Sequence, residues 1–408
     1  MNKEKKNNIA ELLSPAGDME RLVASVNFGA DAVYLAGKEF GMRTSSSNFD
    51  MENLKTAVKF CHDKDKKVYL TCNTLPRNDE IERLPEFLTE VAKMGVDAFI
   101  MTDLGVLDIA KKVAPNIDVH ISTQFGVVNF MSARSLYDMG AKRVVLSREL
   151  SLEEITTIRE KTNSKLELEV FVHGSMCVSF SGRCLISNYF TGRDANRGNC
   201  TQSCRWKYNL VEEKRKGEYF SIIEDDEGTH FFNSKDLCMI EHIPELLKSG
   251  ITSLKIEGRA KSAYYVAVVT NAYKHAMDAF YTMGENFRLD HWVKEEVHKI
   301  SHREYSTGFF FGNEPGQIYN SGGYIQECEV VAVCDGYKNG VMQISQRNKF
   351  FKGDKLEILE PGGKPFSFTV EQIFDEFGNE VESTPHAMQK LFIPIKKNVK
   401  LGAFIRAC

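Results

Sequence analysis

NFGADAVYL (Asn27–Leu35) holds the pattern that sets the architecture of this chain. Gly29 follows a segment of helical periodicity, and a short β-rich run begins just after it. A glycine past the end of a helix adopts the left-handed conformation at little cost, so the phrase reads as helix, stop, buried strand. It recurs as KMGVDAFIM (Lys93–Met101), DMGAKRVVL (Asp138–Leu146) and KSGITSLKI (Lys248–Ile256). The runs between these phrases complete eight strand candidates: Glu11–Leu13, Val33–Leu35, Val68–Leu70, Phe99–Met101, Val119–Ile121, Val144–Leu146, Leu168–Val172 and Leu254–Ile256. Asp18–Phe28, Leu54–Cys61 and Leu84–Met94 show the apolar spacing of amphipathic helices between them. Continuous apolar strands spaced by one helix fit a parallel sheet covered on both faces. Eight such units predict an α/β fold, a (β/α)8 TIM-like barrel; an open doubly wound sheet is the competing arrangement.

The spacing breaks once. About eighty residues separate the seventh strand candidate from the eighth. A Cys-rich insertion (174–245) is therefore predicted after strand 7, on the face where such barrels carry out chemistry. Within it, Asn209–Leu237 reads as a hairpin. Ala260–Met283 and Asp290–His302 read as closing helices of a catalytic domain spanning 1–312. Residues 313–323 are rich in turn formers and read as a linker. From 324 to 408 six short β-rich runs predict a small all-β barrel.

At 408 residues and a net charge of −4, the bulk electrostatics do not announce a nucleic-acid binder. A local basic face could still serve one. Lys390, Lys396, Lys397, Lys400 and Arg406 near the C-terminus offer such a face, and a surface strand pair accounts for them equally well. The polar N-terminus lacks a signal peptide's apolar run, and no stretch is long and apolar enough to span a membrane. A cytoplasmic location without membrane association is expected. Thiols stay reduced there, so clustered cysteines favour metal or redox chemistry over a disulfide framework.

Cys177, Cys184, Cys200 and Cys204 are separated by gaps of six, fifteen and three residues. Structural zinc usually shows two close Cys pairs, and only the last two cysteines here are close. An iron–sulfur cluster takes four thiolates from loosely spaced loop positions. The spacing leaves three readings open: a cluster, a zinc ion, or a free or redox-active pair. Cys238 is a fifth contender, more simply read as a buried structural thiol. Cys61, Cys72, Cys328, Cys334 and Cys408 fall on helix or strand patterns and read as packing residues.

Residues just past the C-terminal ends of barrel strands face the active site. Asn73, Asp103, Gln124, Arg148, Glu149, His173, Glu257 and Arg259 occupy such positions, with Arg43 slightly further on and Lys255 inside the eighth strand. His173, Glu149 and Glu257 are candidate proton-handling groups, and the others candidate substrate ligands. A satisfied structural histidine and rim salt bridges are the plainer explanations. Arg193, Arg197, Arg205 and Trp206 mix guanidinium with an aromatic ring around the cysteines, the mixture that grips single-stranded RNA. A solvated loop with Trp206 shielding the sulfurs explains them as well.

Glu169, Phe171, Gly174-Ser175-Met176-Cys177, Gly182, Cys184, Ile186 and Ser187 resemble the signature of the collagenase-like peptidase family, peptidase family U32. The continuation YFTGRDANRGNCTQSCRWKY (Tyr189–Tyr208), with FNSKDL (232–237) and SLKIEGR (Ser253–Arg259), is similar to its RNA-hydroxylating branch. The resemblance covers nearly the whole chain. It implies a [4Fe–4S] cluster ligated by Cys177, Cys184, Cys200 and Cys204. It implies hydroxylation of uridine at C5 in the tRNA anticodon loop, without molecular oxygen. The hydroxyl would come from prephenate or a derivative, and an electron donor is a further possible partner. Prephenate is a dicarboxylate, which makes Arg43, Arg148 and Arg259 candidate carboxylate ligands. Two alternatives remain: a peptidase, and an RNA-binding module built on structural zinc. The peptidase needs a nucleophile or a hydrolytic metal, and the chain contains neither H-E-x-x-H nor G-x-S-x-G.

Overall fold

Eight parallel strands close on themselves in the computed structural model, which describes residues 9–42, 48–177, 179–206, 224–225, 228–229, 234–312 and 324–408. They are β1 (Glu11–Pro15), β2 (Ala32–Ala36), β3 (Lys67–Cys72), β4 (Ala98–Met101), β5 (Asp118–Ile121), β6 (Arg143–Val145), β7 (Glu167–Ser175) and β8 (Ser253–Ile256). Each pairs with the next, and β8 closes the ring by pairing with both β7 and β1. All eight strand candidates fall on these elements. The four phrase glycines all adopt positive φ, between 81° and 110°, as the helix-stop reading requires.

The barrel's outer layer is built from amphipathic helices whose apolar stripe meets the strands. Met19–Asn27 buries Leu22, Ala24 and Val26, and Asp18 caps it by accepting from the Arg21 amide. Ala263–Met283 is the longest helix and buries most of its first four turns against the barrel and the C-terminal domain. Its N-cap is Ser262, which accepts from Tyr265 N.

The barrel interior is not uniformly apolar. Leu13, Ala32, Tyr34, Tyr69, Ala98 and Ile100 form a small buried cluster there. Beside them Arg143 reaches Glu11 at 2.7 Å and Glu169 at 2.9 Å, and Lys255 reaches Glu169 at 2.8 Å. Tyr69 donates to Glu11 at 2.6 Å, and the Arg143 guanidinium lies 5.2 Å from the Tyr69 ring centre. Unpaired charges at this depth are prohibitively costly, so the ions neutralise one another as a connected set.

The described parts of the insertion follow β7 as short turns and one helix, Ile186–Thr191. Most of the hairpin expected over Asn209–Leu237 lies outside the described residues; Glu224–Asp225 and Gly228–Thr229 pair antiparallel. Asp236–Cys238 then returns antiparallel along the end of β7. The linker expected at 313–323 also lies outside the described residues.

The C-terminal domain contains all six expected strands: β9 (Glu329–Lys338), β10 (Val341–Gln346), β11 (Lys355–Leu359), β12 (Phe366–Thr369), β13 (Lys390–Pro394) and β14 (Phe404–Ala407). They form an antiparallel sheet in the order β12-β11-β14-β9-β10-β13, curled into a half-barrel around Leu356, Ile358, Ile344, Leu391 and Ile405. Phe374, in the segment between β12 and β13, forms an isolated bridge with Phe392 on the β13 edge. Two sequence expectations are corrected here. Cys328 and Cys408, expected as packing residues, are bonded to each other. Arg406, expected in a basic surface stretch, is fully buried and pairs with Glu296 and Glu357.

Among the described residues no helix is long and apolar enough to cross a membrane.

Candidate active site at the barrel mouth

The C-terminal ends of the strands open into a cavity of about 510 Å³. Its floor is Tyr34, Thr71, Ile100, Phe171 and Lys255 from the barrel interior. Its walls carry Asn73, Gln124, Arg148, Glu149, Glu257 and Arg259. Its roof is the insertion, which contributes Cys177, Cys184, Cys200 and Cys204. The strand ends and the insertion thus bring five of the candidate ligands, two of the candidate proton-handling groups and all four cysteines to one space.

Cations line the wall and floor. Arg148 donates to the Ser175 carbonyl at 2.8 Å, lies over the Phe171 ring at 3.8 Å and stands 3.6 Å from Glu257. Lys255 Nζ lies 4.5 Å from the Tyr34 ring centre. Arg259 donates to Thr71 Oγ1 at 3.0 Å and to the Met42 carbonyl. Glu169 beneath them pays a large burial cost in its charged form. Lys255 and Arg143 outweigh that cost, and its carboxyl is held below the usual carboxylate range. Arg148, Arg259 and Lys255, set among the acids Glu149 and Glu257, offer cationic partners to an anionic group of a small molecule.

The thiols are held by the loop's own polar groups. Ile186 N lies 3.3 Å from Cys184 Sγ and Gln202 N 3.4 Å from Cys200 Sγ. Ser187 Oγ stands 3.8 Å from Cys200 Sγ, and Ser179 Oγ 2.9 Å from Cys177 Sγ. Asn196 clamps Cys184 by accepting from its amide at 3.3 Å and donating to its carbonyl at 3.0 Å. Glu149 accepts from the Ser181 amide and hydroxyl, each at 2.7 Å, fixing the turn between Cys177 and Cys184. Ser181 and Gln202 adopt positive φ without being glycine, a local strain typical of functional loops.

This donor set fits an iron–sulfur cluster. Four cysteines outside any disulfide surround one space, and backbone amides point at two of the sulfurs, as they do in sites that stabilise thiolate charge. Among the described residues, no three His, Cys, Asp or Glu side chains are drawn together as tightly as a single ion requires. Cys238 does not line the cavity; burial pushes its thiol up to about 12, as a packing residue's would be.

Several sequence candidates lie elsewhere. A register shift opposite Lys255 and Ile256 puts an extra β7 residue between Phe171 and His173. Such a bulge re-aims the side chains beyond it. His173 consequently packs outside the cavity against Tyr265, Tyr273 and Tyr305, and burial pushes its imidazole down to about 3. Asp103 is the N-cap of Leu104–Val113, accepting from Gly105 N and Val106 N. Glu149 touches the cavity with both oxygens already engaged by Ser181. Arg197 pairs with Glu80 at 2.7 Å, tying the insertion to the loop after β3. Arg193 and Trp206 are exposed on the insertion. Arg43 and the side chain of Arg205 lie outside the described residues. Sequence reasoning missed Tyr34, Thr71, Asn196, Lys261 and Tyr324. Tyr34 and Thr71 belong to inward strand positions, and Tyr324 arrives from beyond the linker.

Fold and site define a (β/α)8 barrel with a cation-lined cavity roofed by four thiols. The profile of "Peptidase family U32" matches residues 17–320, and that of "Peptidase family U32 C-terminal domain" matches residues 326–406. The chain belongs to peptidase family U32. It is 36% identical over 394 residues to tRNA hydroxylation protein P1 of Bacillus subtilis strain 168, covering 95% of this chain and 92% of that one. It is 33% identical over 359 residues to the 23S rRNA 5-hydroxycytidine C2501 synthase of Escherichia coli strain K12, covering 86% of this chain and 52% of the relative. A protein named Collagenase from Porphyromonas gingivalis strain W83 is 30% identical over 410 residues, covering 96% of each.

Proposed function

We propose that this chain is an RNA-modifying enzyme that hydroxylates uridine at C5 in the tRNA anticodon loop, independently of molecular oxygen. The reading rests chiefly on one observation: the four cysteines and the cationic wall share a single cavity. The names of the relatives in Bacillus subtilis and Escherichia coli support an RNA substrate.

In this reading Cys177, Cys184, Cys200 and Cys204 hold a [4Fe–4S] cluster, which supplies one-electron carrying capacity. Arg148, Arg259 and Lys255 bind the carboxylates of a prephenate-derived hydroxyl donor, through the fork geometry that suits guanidinium to carboxylate. Asn73 and Gln124, linked at 3.4 Å, present amide groups to its polar atoms. The target uridine is splayed out of its loop into the cavity, where C5–OH replaces C5–H. The donor's C–O bond breaks, the donor takes up the two electrons the base loses, and Glu257 passes the proton released at C5 to the donor. Glu149 works indirectly, by holding the Cys loop. Cytoplasmic location and an external electron donor belong to the same proposal.

A peptidase finds little support at this site. His173, the histidine nearest Ser175 in sequence, is turned away from the cavity by the bulge in β7. The test is nucleoside mass spectrometry on tRNA from a host lacking its own hydroxylases, with and without this chain. Hydroxyuridine should appear with wild type and be missing with Cys184→Ala. Equal levels with both would remove the cysteine site from the reaction.

A further inference from the structure

Beyond its thiols, the Cys-bearing insertion presents an apolar surface that the proposed chemistry does not use. Phe180, Leu185, Tyr189 and Phe190 are 53%, 73%, 85% and 50% exposed. The helix Ile186–Thr191 buries only Ser187, which sits beside Cys200, and it contributes Ile186 and Ser187 to the cavity lining. One turn further along, Tyr189 and Phe190 are exposed, their rings edge to face at 5.3 Å. Large apolar side chains gathered on a surface this way mark a contact site. The helix therefore carries cavity-lining residues on its first turn and a pair of exposed aromatic rings on the next.

The surrounding charge points to the partner. Residues 177–206 contain four arginines and a single acid, Asp194. Asp194 faces Arg77 at 3.8 Å, and Arg197 is paired with Glu80. Arg183 and Arg193 are exposed and bracket the aromatic pair in sequence, and Arg183 Nε donates to the Gln124 carbonyl. Aromatic faces flanked by guanidinium groups match unpaired bases on a phosphate backbone, and a protein surface has no comparable regular negative charge.

We infer that Tyr189 and Phe190, flanked by Arg183 and Arg193, form a base-stacking platform for the unpaired nucleotides next to the one delivered into the cavity. This rests on the RNA reading proposed above. The platform sets which loops are accepted, because it requires stackable bases one helical turn from the target.

The test measures binding of a fluorescent anticodon stem-loop and of a fully paired duplex of equal length to the full chain, across a salt series. Wild type should prefer the stem-loop. The double variant Tyr189→Ala/Phe190→Ala should bind it roughly 10- to 100-fold more weakly, the loss of one or two base–aromatic stacks, with an unchanged salt slope. Tyr189→Trp should keep wild-type affinity, which guards against a folding artefact. Arg193→Gln should instead lower the salt slope by about one. Stem-loop binding by wild type with equal binding by the double variant overturns the platform and leaves the RNA reading standing. No RNA binding by wild type overturns both. A wild-type dimer that the double variant dissolves, with RNA affinity unchanged, assigns the surface to self-association and overturns the platform.

Discussion

Lys255 on β8 and Glu169 on β7 meet inside the barrel, Nζ to Oε1 at 2.8 Å, with both side chains at most 5% exposed. Glu169 also receives Arg143 from below, so one carboxylate links the ionic floor to the cavity. Replacing it by Gln leaves two buried cations short of a partner. The expected cost is ~3–5 kcal/mol, measurable by chemical denaturation. The pH dependence has a definite sign. The Glu169 carboxyl is depressed in the folded state, so its contribution is full above the unfolded value and lost as pH falls through the folded one. Wild type should therefore lose stability on acidification below about pH 4.5 more steeply than Glu169→Gln.

Arg148 combines a hydrogen bond to Ser175 O with stacking over Phe171. Lysine keeps the charge and lacks the planar, multi-donor fork that makes both contacts while leaving donors for a ligand. Arg148→Lys should weaken binding of a dicarboxylate ligand by roughly 10- to 100-fold, the value of a charge-assisted hydrogen bond. Titration calorimetry checks this, with unfolding temperature as the control.

Burial holds the His173 imidazole neutral, down to about 3. A histidine free in the unfolded chain titrates near 6.5, so its contribution to stability is full above that pH. It falls away below it by about 1.4 kcal/mol per pH unit. His173→Gln should flatten this part of the acid limb and keep hydroxylation. Loss of activity in a folded His173→Gln variant would return this residue to the chemistry.

The legible part of this molecule was the part governed by period and punctuation. Four glycine phrases located β2, β4, β6 and β8, and apolar runs located the strands between them. The cysteines were readable because no packing pattern accounts for them. The roles of His173 and Asp103 were not. Sequence position put both at the mouth, but one extra residue in β7 turned His173 outward, and the first turn of a helix claimed Asp103. A bulge leaves no mark in hydrophobic alternation. The ionic floor was equally hidden, since Glu11, Arg143 and Glu169 are distant in sequence and meet only when the ring closes.

Asn196 holds the Cys184 backbone from both sides. Asn196→Ala should leave the fold intact and let the roof of the cavity loosen. The expected outcome is faster loss of iron to a chelator than in wild type, followed by visible absorbance.

Arg406 joins the two domains: its guanidinium reaches Glu296 at 2.5 Å, Glu357 at 2.8 Å and the Tyr264 hydroxyl at 2.9 Å. Arg406→Ala leaves Lys299 as the remaining cation for Glu357 and the buried Glu296. It should cost ~3–5 kcal/mol, and calorimetry should resolve two unfolding transitions where wild type shows one.

In the proposed function, Cys177, Cys184, Cys200 and Cys204 at the barrel mouth hold a cluster. Iron, acid-labile sulfide and zinc per chain after anaerobic purification test it most directly. The account predicts about four irons and four sulfides, both lost together in Cys184→Ala. One zinc without sulfide would contradict it and make the mouth a structural metal site.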